Sequence, residues 1–323
     1  MHYRKFGRTG WQVSDIGYGM WGMGGWTGSD DEESLLSLQR AIDLGCNFFD
    51  TAFVYGSGHS EKLLGEIIRA NPDKKLFAAT KIPPKNMQYP TLPEYSLDEC
   101  YPPDHIEEFL HKSLHNAGLE SYDLLQIHTW NDDWTEEAGW SDMFDSLKRQ
   151  GLIRACGISI NRWEPWNGVK AVRSGKVDSV QVVHNIFDQN PEDELFPACE
   201  EMDVAIIARV PFDEGSLTGN ITAETMFPEG DFRHMYFSPE KLGPILEHVV
   251  ALRPFVPEGS SMAETTLRFI LSHPAISTII PGMRKTPHVE SNIAASDLGP
   301  LSKDLVEQLK AHRWVRKPAP STA

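Results

Sequence analysis

The chain has 323 residues, 40% of them hydrophobic and 24% charged, a globular balance that excludes wholesale disorder and fibrous repeats. Asp plus Glu number 46 against 30 Lys plus Arg, so the formal net charge is −16. A surface this acidic repels phosphate backbones and anionic lipid, which argues against nucleic-acid and membrane partners and requires a local basic pocket for any anionic ligand.

Residues 3–19 read as a β-hairpin, with Arg8-Thr9-Gly10 as its turn and Val13 to Tyr18 opening the core. Ser29 followed by Asp30, Asp31, Glu32 and Glu33 is a helix start, because acids there complement the helix dipole. Leu35, Leu38, Ala41 and Ile42 form the helical stripe, and Gly45 ends it. From there the chain alternates. Strands are expected at 46–49, 76–80, 123–127, 154–158, 177–183, 204–208 and 276–280. Helices are expected at 61–69, 104–116, 140–150, 162–173, 192–202, 240–252, 262–272, 286–295 and 302–313.

With Asp15 to Gly19 as the first, these strands number eight. Apolar strands alternating with helices call for a parallel sheet covered on both faces. The expected architecture is α/β: a (β/α)8 TIM barrel with an N-terminal β-hairpin and extra helices. A doubly wound sheet is the alternative. It is disfavoured because no GxGxxG follows the first strand; Gly19, Gly22, Gly24 and Gly25 have the wrong spacing. No linker divides the chain, so residues 1–323 read as one barrel domain with long loops 83–103 and 211–239 and a Pro-rich tail at 314–323. Loops of that length are usually functional.

The cysteines Cys46, Cys100, Cys156 and Cys199 form no CxxC pair and read as buried free thiols of a reducing compartment. The opening residues carry no apolar signal region, and no apolar run approaches the ~18 residues of a membrane span. The expected location is the cytoplasm. No His/Cys cluster has metal-ligand spacing, so no metal is expected.

In a (β/α)8 barrel the chemistry sits where strands end and βα loops begin. Asp50 ends its strand with Tyr55 in the following loop; Lys81 and His128 end the next two. A phenol is a poor acid at neutral pH, a nearby ammonium lowers its pKa, a carboxylate holds the ammonium in place, and an imidazole orients a carbonyl oxygen. Together they describe protonation of an oxygen that gains negative charge, as in carbonyl reduction. Trp21, Phe53, Trp130 and Trp134 lie in or near βα loops and are expected to line a substrate pocket.

The sequence resembles the aldo-keto reductases over essentially its whole length. The motifs are Tyr3-Arg4-Lys5-Phe6-Gly7-Arg8-Thr9-Gly10, Phe49-Asp50-Thr51-Ala52 with Tyr55-Gly56, Thr80-Lys81, Gln126-Ile127-His128, Gly157-Ile158-Ser159, Gln181 and Ile280-Pro281-Gly282. The resemblance implies an enzyme binding NADP(H), with NAD(H) as the alternative, that passes hydride between nicotinamide and a small-molecule carbonyl or alcohol. It implies Tyr55 as general acid, supported by Asp50, Lys81 and His128. Ser159, Asn161 and Gln181 would hold the nicotinamide carboxamide. Arg209 would lie at the nicotinamide, and Pro211, Phe212, Gly215, Leu217 and Gly219 along the pyrophosphate. Gly282, Arg284, Lys285, His288 and Asn292 would meet the adenosine 2′-phosphate end.

Several positions depart from the family pattern. Ile160 separates Ser159 from Asn161, and Arg209 stands where an aromatic ring usually stacks on the nicotinamide. His288 stands where many members have Arg or Gln, Gly282 replaces a lysine common in one branch, and the 83–103 insert is longer than usual. Two other functions are compatible with such a chain. One is a cofactor-binding accessory subunit of the same fold with slow turnover. The other is a barrel glycosidase, which needs two strand-end acids where only Asp50 is well placed.

Overall fold

The computed structural model describes residues 1–25, 28–137, 139–161 and 164–316. Strands β1 (Tyr3–Phe6) and β2 (Trp11–Ser14) form the expected antiparallel hairpin, with Phe6 opposite Trp11. Those two rings stack at 5.6 Å, and they meet Phe48 and Phe77 at 5.3 and 5.1 Å. The hairpin therefore plugs one end of the barrel with aromatic surface.

Eight parallel strands follow in chain order: β3 (Tyr18–Gly19), β4 (Phe48–Asp50), β5 (Phe77–Ile82), β6 (Tyr122–Ile127), β7 (Ile153–Ser159), β8 (Ser179–Val183), β9 (Ala205–Arg209) and β10 (Ile276–Ile279). Parallel bridges Ile16 to Ile279 and Gly19 to Gly282 join the last strand to the first. The fold is a (β/α)8 TIM barrel. At this seam Gly19 is required, because a Cβ there would lie 2.5 Å from the Ile280 carbonyl oxygen. The strand expected at 15–19 is accordingly shorter, a bridge at Ile16 followed by β3.

The helices are α1 (Asp31–Asp43), α2 (His59–Ala70), α3 (Leu97–Cys100), α4 (Pro103–Ala117), α5 (Trp140–Arg149), α6 (Val169–Arg173), α7 (Leu195–Met202), α8 (Phe232–Tyr236), α9 (Pro239–Leu252), α10 (Met262–Leu271), α11 (Thr286–Leu298) and α12 (Lys303–Lys310). Asp30 rather than Ser29 caps α1, its carboxylate accepting from the Glu33 amide at 2.8 Å. The helix expected at 162–173 is confined to α6 among the described residues, with turns before it; Arg162 lies outside them. The one expected at 192–202 divides into a 3-10 turn, Asn190–Glu192, and α7, and the one expected at 302–313 ends at Lys310.

Both long loops carry structure. Loop 83–103 contains α3, started by a reciprocal capping box between Ser96 and Glu99. It is fastened to the segment after β6: Tyr101 Oη and Thr129 Oγ1 lie 2.9 Å apart, and Trp134 Nε1 donates to the Tyr95 carbonyl at 2.9 Å. Loop 211–239 contains a 3-10 turn, Asp213–Thr218, and α8. All four cysteines are buried and unbridged, as expected. Among the described residues no helix is long and apolar enough to cross a membrane, and no group of His, Cys, Asp and Glu has the geometry to hold a metal.

Candidate active site

Three consecutive strand ends and the loop after the first of them supply the polar centre. Asp50 closes β4, Lys81 sits near the end of β5, and His128 follows β6. Tyr55 lies in the turn between β4 and α2, set by its amide donating to the Ala52 carbonyl at 3.0 Å. Lys81 Nζ is 2.5 Å from Asp50 Oδ1 and donates to the Thr51 carbonyl at 2.8 Å. Both side chains are almost completely removed from solvent. A buried charge pair persists only where the remaining hydrogen-bonding capacity is satisfied. Here Gln126 Nε2 and Gln181 Nε2 complete it, donating to Asp50 Oδ2 at 3.0 and 2.9 Å.

The Lys81 ammonium lies 5.1 Å from the centroid of the Tyr55 ring, and the imidazole of His128 stands edge-on to that ring at 5.9 Å. Burial would lower the Lys81 pKa, but Asp50 and Tyr55 outweigh it and hold the ammonium above its ordinary value. Burial raises the Tyr55 phenol, Lys81 and Arg209 pull it down, and Asp50 pushes it up; the result lies above the ordinary phenol. His128 is held well below the ordinary imidazole by burial and by the charges of Lys81 and Arg209. At neutral pH the centre therefore presents a protonated phenol beside a fixed ammonium and a neutral imidazole. The Nδ1 atom of His128 is buried without a hydrogen-bond partner among the described residues.

Arg209 ends β9 and donates from Nη2 to the Ile160 carbonyl at 3.1 Å, tying the end of β9 to the segment after β7, across β8. Ser159 and Gln181 are register partners on β7 and β8, and both are buried. Asn161 is buried, with Nδ2 3.3 Å from Glu164 Oε2. Beyond β10, Arg284, Lys285 and His288 gather at the start of α11, which has no side-chain cap. Burial lowers the His288 pKa, and the charges of Lys285 and Arg284 lower it further, so the three bases share one place. A Cβ on Gly282 would meet nothing within 4 Å, leaving open space over that backbone. Asn292 is buried on the same helix. On an acidic chain these three bases form a local concentration of positive charge, with Glu33 also acting on His288.

Trp130 does not face the barrel mouth. It is fully buried, donates to Asp132 Oδ1 at 3.2 Å, and packs against Trp134 and Trp140 at 5.6 and 5.0 Å. The loop after β6 folds back onto α5, so these rings join the outer core instead. Trp21 is exposed and meets Phe232 edge-on at 5.8 Å; Phe53 is half-buried against Phe109 at 4.7 Å.

Two residues of the centre carried no assigned role in the sequence. Gln126 was legible as a polar side chain in the apolar run Leu124-Leu125-Gln126-Ile127. Tyr89, edge-on to His128 at 5.3 Å, comes from loop 83–103 and had no periodic signal.

The model of the aldo/keto reductase family matches residues 15–313. The chain belongs to the aldo/keto reductase family. Membership carries the coarse activity with it: an oxidoreductase using a nicotinamide cofactor on carbonyl compounds. The chain is 30% identical over 320 residues to the uncharacterized oxidoreductase YqkF of Bacillus subtilis, covering 97% of this chain and 96% of that one. It is 30% identical over 304 residues to the aldo-keto reductase yakc [NADP(+)] of Schizosaccharomyces pombe, covering 90% and 86%. The glycerol dehydrogenase AKR11B4 of Gluconobacter oxydans superposes with a TM-score of 0.76 at 25% identity, covering 99% of this chain and 98% of that one.

Proposed function

We propose that this aldo/keto reductase converts an aldehyde or ketone to the alcohol, with Tyr55 as the proton donor and NADP(H) as the cofactor. The observation that carries the reading is the Tyr55 phenol set between the Lys81–Asp50 pair and the edge of His128. The hydride for the carbonyl carbon would come from reduced nicotinamide when it is bound. Tyr55 gives its phenolic proton to the carbonyl oxygen as charge develops there. Lys81, fixed by Asp50, stabilises the phenolate that remains. His128, neutral and with no partner at Nδ1 among the described residues, orients the carbonyl oxygen. Run backward, the same groups take a proton from an alcohol.

The residues present suit the cofactor. Ser159, Asn161 and the Gln181 carbonyl would hold the carboxamide, with Arg209 beside them. Pro211, Phe212, Gly215, Leu217 and Gly219 would follow the pyrophosphate. Gly282, Arg284, Lys285, His288 and Asn292 would receive the 2′-phosphate end. The clustered bases and the open space over Gly282 support that placement, because they match an anion on a chain that elsewhere repels one.

The test is calorimetric titration of the protein with NADPH and then NADH, followed by a carbonyl panel. Tight NADPH and weak NADH, with the preference lost in Arg284→Ala, support the reading. Equal affinity for both cofactors removes the 2′-phosphate assignment. Tight binding with no carbonyl reduced favours a cofactor-binding accessory role.

A further inference from the structure

The segment after α12 packs against the loops that follow β8 and β9, and Arg316, the last described residue, forms a polar lock there. Trp314 donates its amide to the Phe187 carbonyl at 2.9 Å, and its ring stacks on His248 at 3.9 Å. Two residues on, the Arg316 guanidinium lies 4.8 Å from the Trp314 ring centroid and 5.7 Å from that of Phe187. Its Nη2 is 2.7 Å from Asp188 Oδ2 and 2.7 Å from Asp213 Oδ1. Its Nη1 donates to Tyr236 Oη at 3.1 Å, and Tyr236 in turn donates to Asp213 Oδ1 at 2.6 Å. One guanidinium thus joins the loop after β8, the loop after β9 and α8.

Asp213 is the decisive partner. Its side chain is fully buried, and a carboxylate so placed needs a counter-charge. Its other oxygen, Oδ2, accepts from Ser216 Oγ at 2.6 Å, closing the turn Asp213–Thr218 on itself. The backbone of that turn is strained. Val210, Asp213 and Glu214 have φ of 51°, 49° and 57°, in the left-handed region that side chains disfavour. Such a conformation persists only where surrounding contacts over-determine it. Among the contacts that do so here, Ser216, Tyr236 and Arg316 converge on the Asp213 carboxylate, and Asn185 Nδ2 donates to the Val210 carbonyl at 3.1 Å.

We propose that Arg316 is a positioning residue for cofactor binding. It never touches the cofactor; through Asp213 it holds residues 210–219 in the strained shape that follows the pyrophosphate, so the segment after α12 sets how tightly cofactor is retained. The proposal rests on the cofactor path given under Proposed function.

The experiment is stopped-flow release of NADPH, with equilibrium titration, on full-length wild type, Arg316→Met and Arg316→Lys. The expected result is a Kd raised about tenfold or more in the Met variant, mainly through faster release, with the Lys variant between the two. The KM for cofactor should rise by that factor while kcat at saturating cofactor does not fall in proportion, a split that general destabilisation does not produce. Asp188→Asn gives a second, milder variant, which keeps the Asp213 contact and should shift release less. A Met variant with wild-type Kd and release rate overturns the role of Arg316 and leaves the reductase reading standing. A wild type that binds neither NADPH nor NADH overturns the cofactor reading itself, and this proposal with it.

Discussion

Gln181 stands 131 positions after Asp50, yet its amide nitrogen donates to Asp50 Oδ2 at 2.9 Å and lies 3.3 Å from Gln126 Oε1. With Oδ1 taken by Lys81, both oxygens of the buried carboxylate are engaged. Two amides, from β6 and β8, thereby fix the direction in which Asp50 presents its charge to Lys81.

Gln126→Leu removes one of those donors and leaves a buried acceptor under-satisfied. The expected outcome is a fall in kcat of roughly tenfold, through a less well-fixed Lys81, with cofactor Kd moved much less. Steady-state kinetics and calorimetry on the same preparation check the split. An unchanged kcat would remove Gln126 from the support of the centre.

Tyr55→Phe keeps the ring and deletes the proton. Loss of a positioned general acid is expected to lower reduction by at least about 10²–10⁴-fold while leaving cofactor affinity close to wild type. Lys81→Met differs, because it leaves Asp50 as an uncompensated buried charge. That variant should lose activity and also about 3–5 kcal/mol of stability, read by urea denaturation. Adding Asp50→Asn should recover part of the stability and none of the activity.

The pH profile follows from the shifts at the centre. The Tyr55 phenol lies above its ordinary value of ~10, so the proton-donating form persists across neutral and mildly alkaline pH. His128 lies well below ~6.5 and stays neutral over the same range. Reduction should therefore be flat from about pH 7 to 9 in kcat/KM, and alcohol oxidation should rise with pH as phenolate becomes accessible. An inflection in reduction near pH ~6.5 would contradict a neutral His128.

A second titration governs acid stability. His273 packs edge-on to Phe196 at 4.9 Å and faces Glu192, His184, Lys310 and Arg4. Burial drives its pKa down to about 4, so between that value and the ordinary ~6.5 the unfolded chain binds a proton that the folded chain does not. Its neutral form is accommodated fully above pH ~6.5, and stability is lost as pH falls toward 4. Glu192, whose pKa is lowered overall with His184 donating to it at 2.9 Å, adds loss at the acid end as it protonates. Thermal melts at pH 7.5 and 5 should show a smaller drop for His273→Gln than for wild type; equal drops would exclude His273.

The sequence by itself determined the barrel and the strand-end members of the polar centre. Periodic apolar strands alternating with capped helices admit few architectures, and in a barrel the residue that ends a strand has its position fixed by that fact alone. Asp50, Lys81 and His128 were legible for this reason, and so were the bases at the start of α11. Tertiary structure decided whom each side chain meets. Trp130 looked like a mouth residue by its place after β6, but the loop folds back and buries it against Trp134 and Trp140. Gln126 and Gln181 reach Asp50 across separations of 76 and 131 positions, and Arg316 reaches Asp213 across 103. Such contacts depend on the stagger of the closed barrel and the path of its loops. A local pattern of residues encodes an element and its exposed end, whereas the direction in which a side chain leaves a loop is set by packing against distant chain.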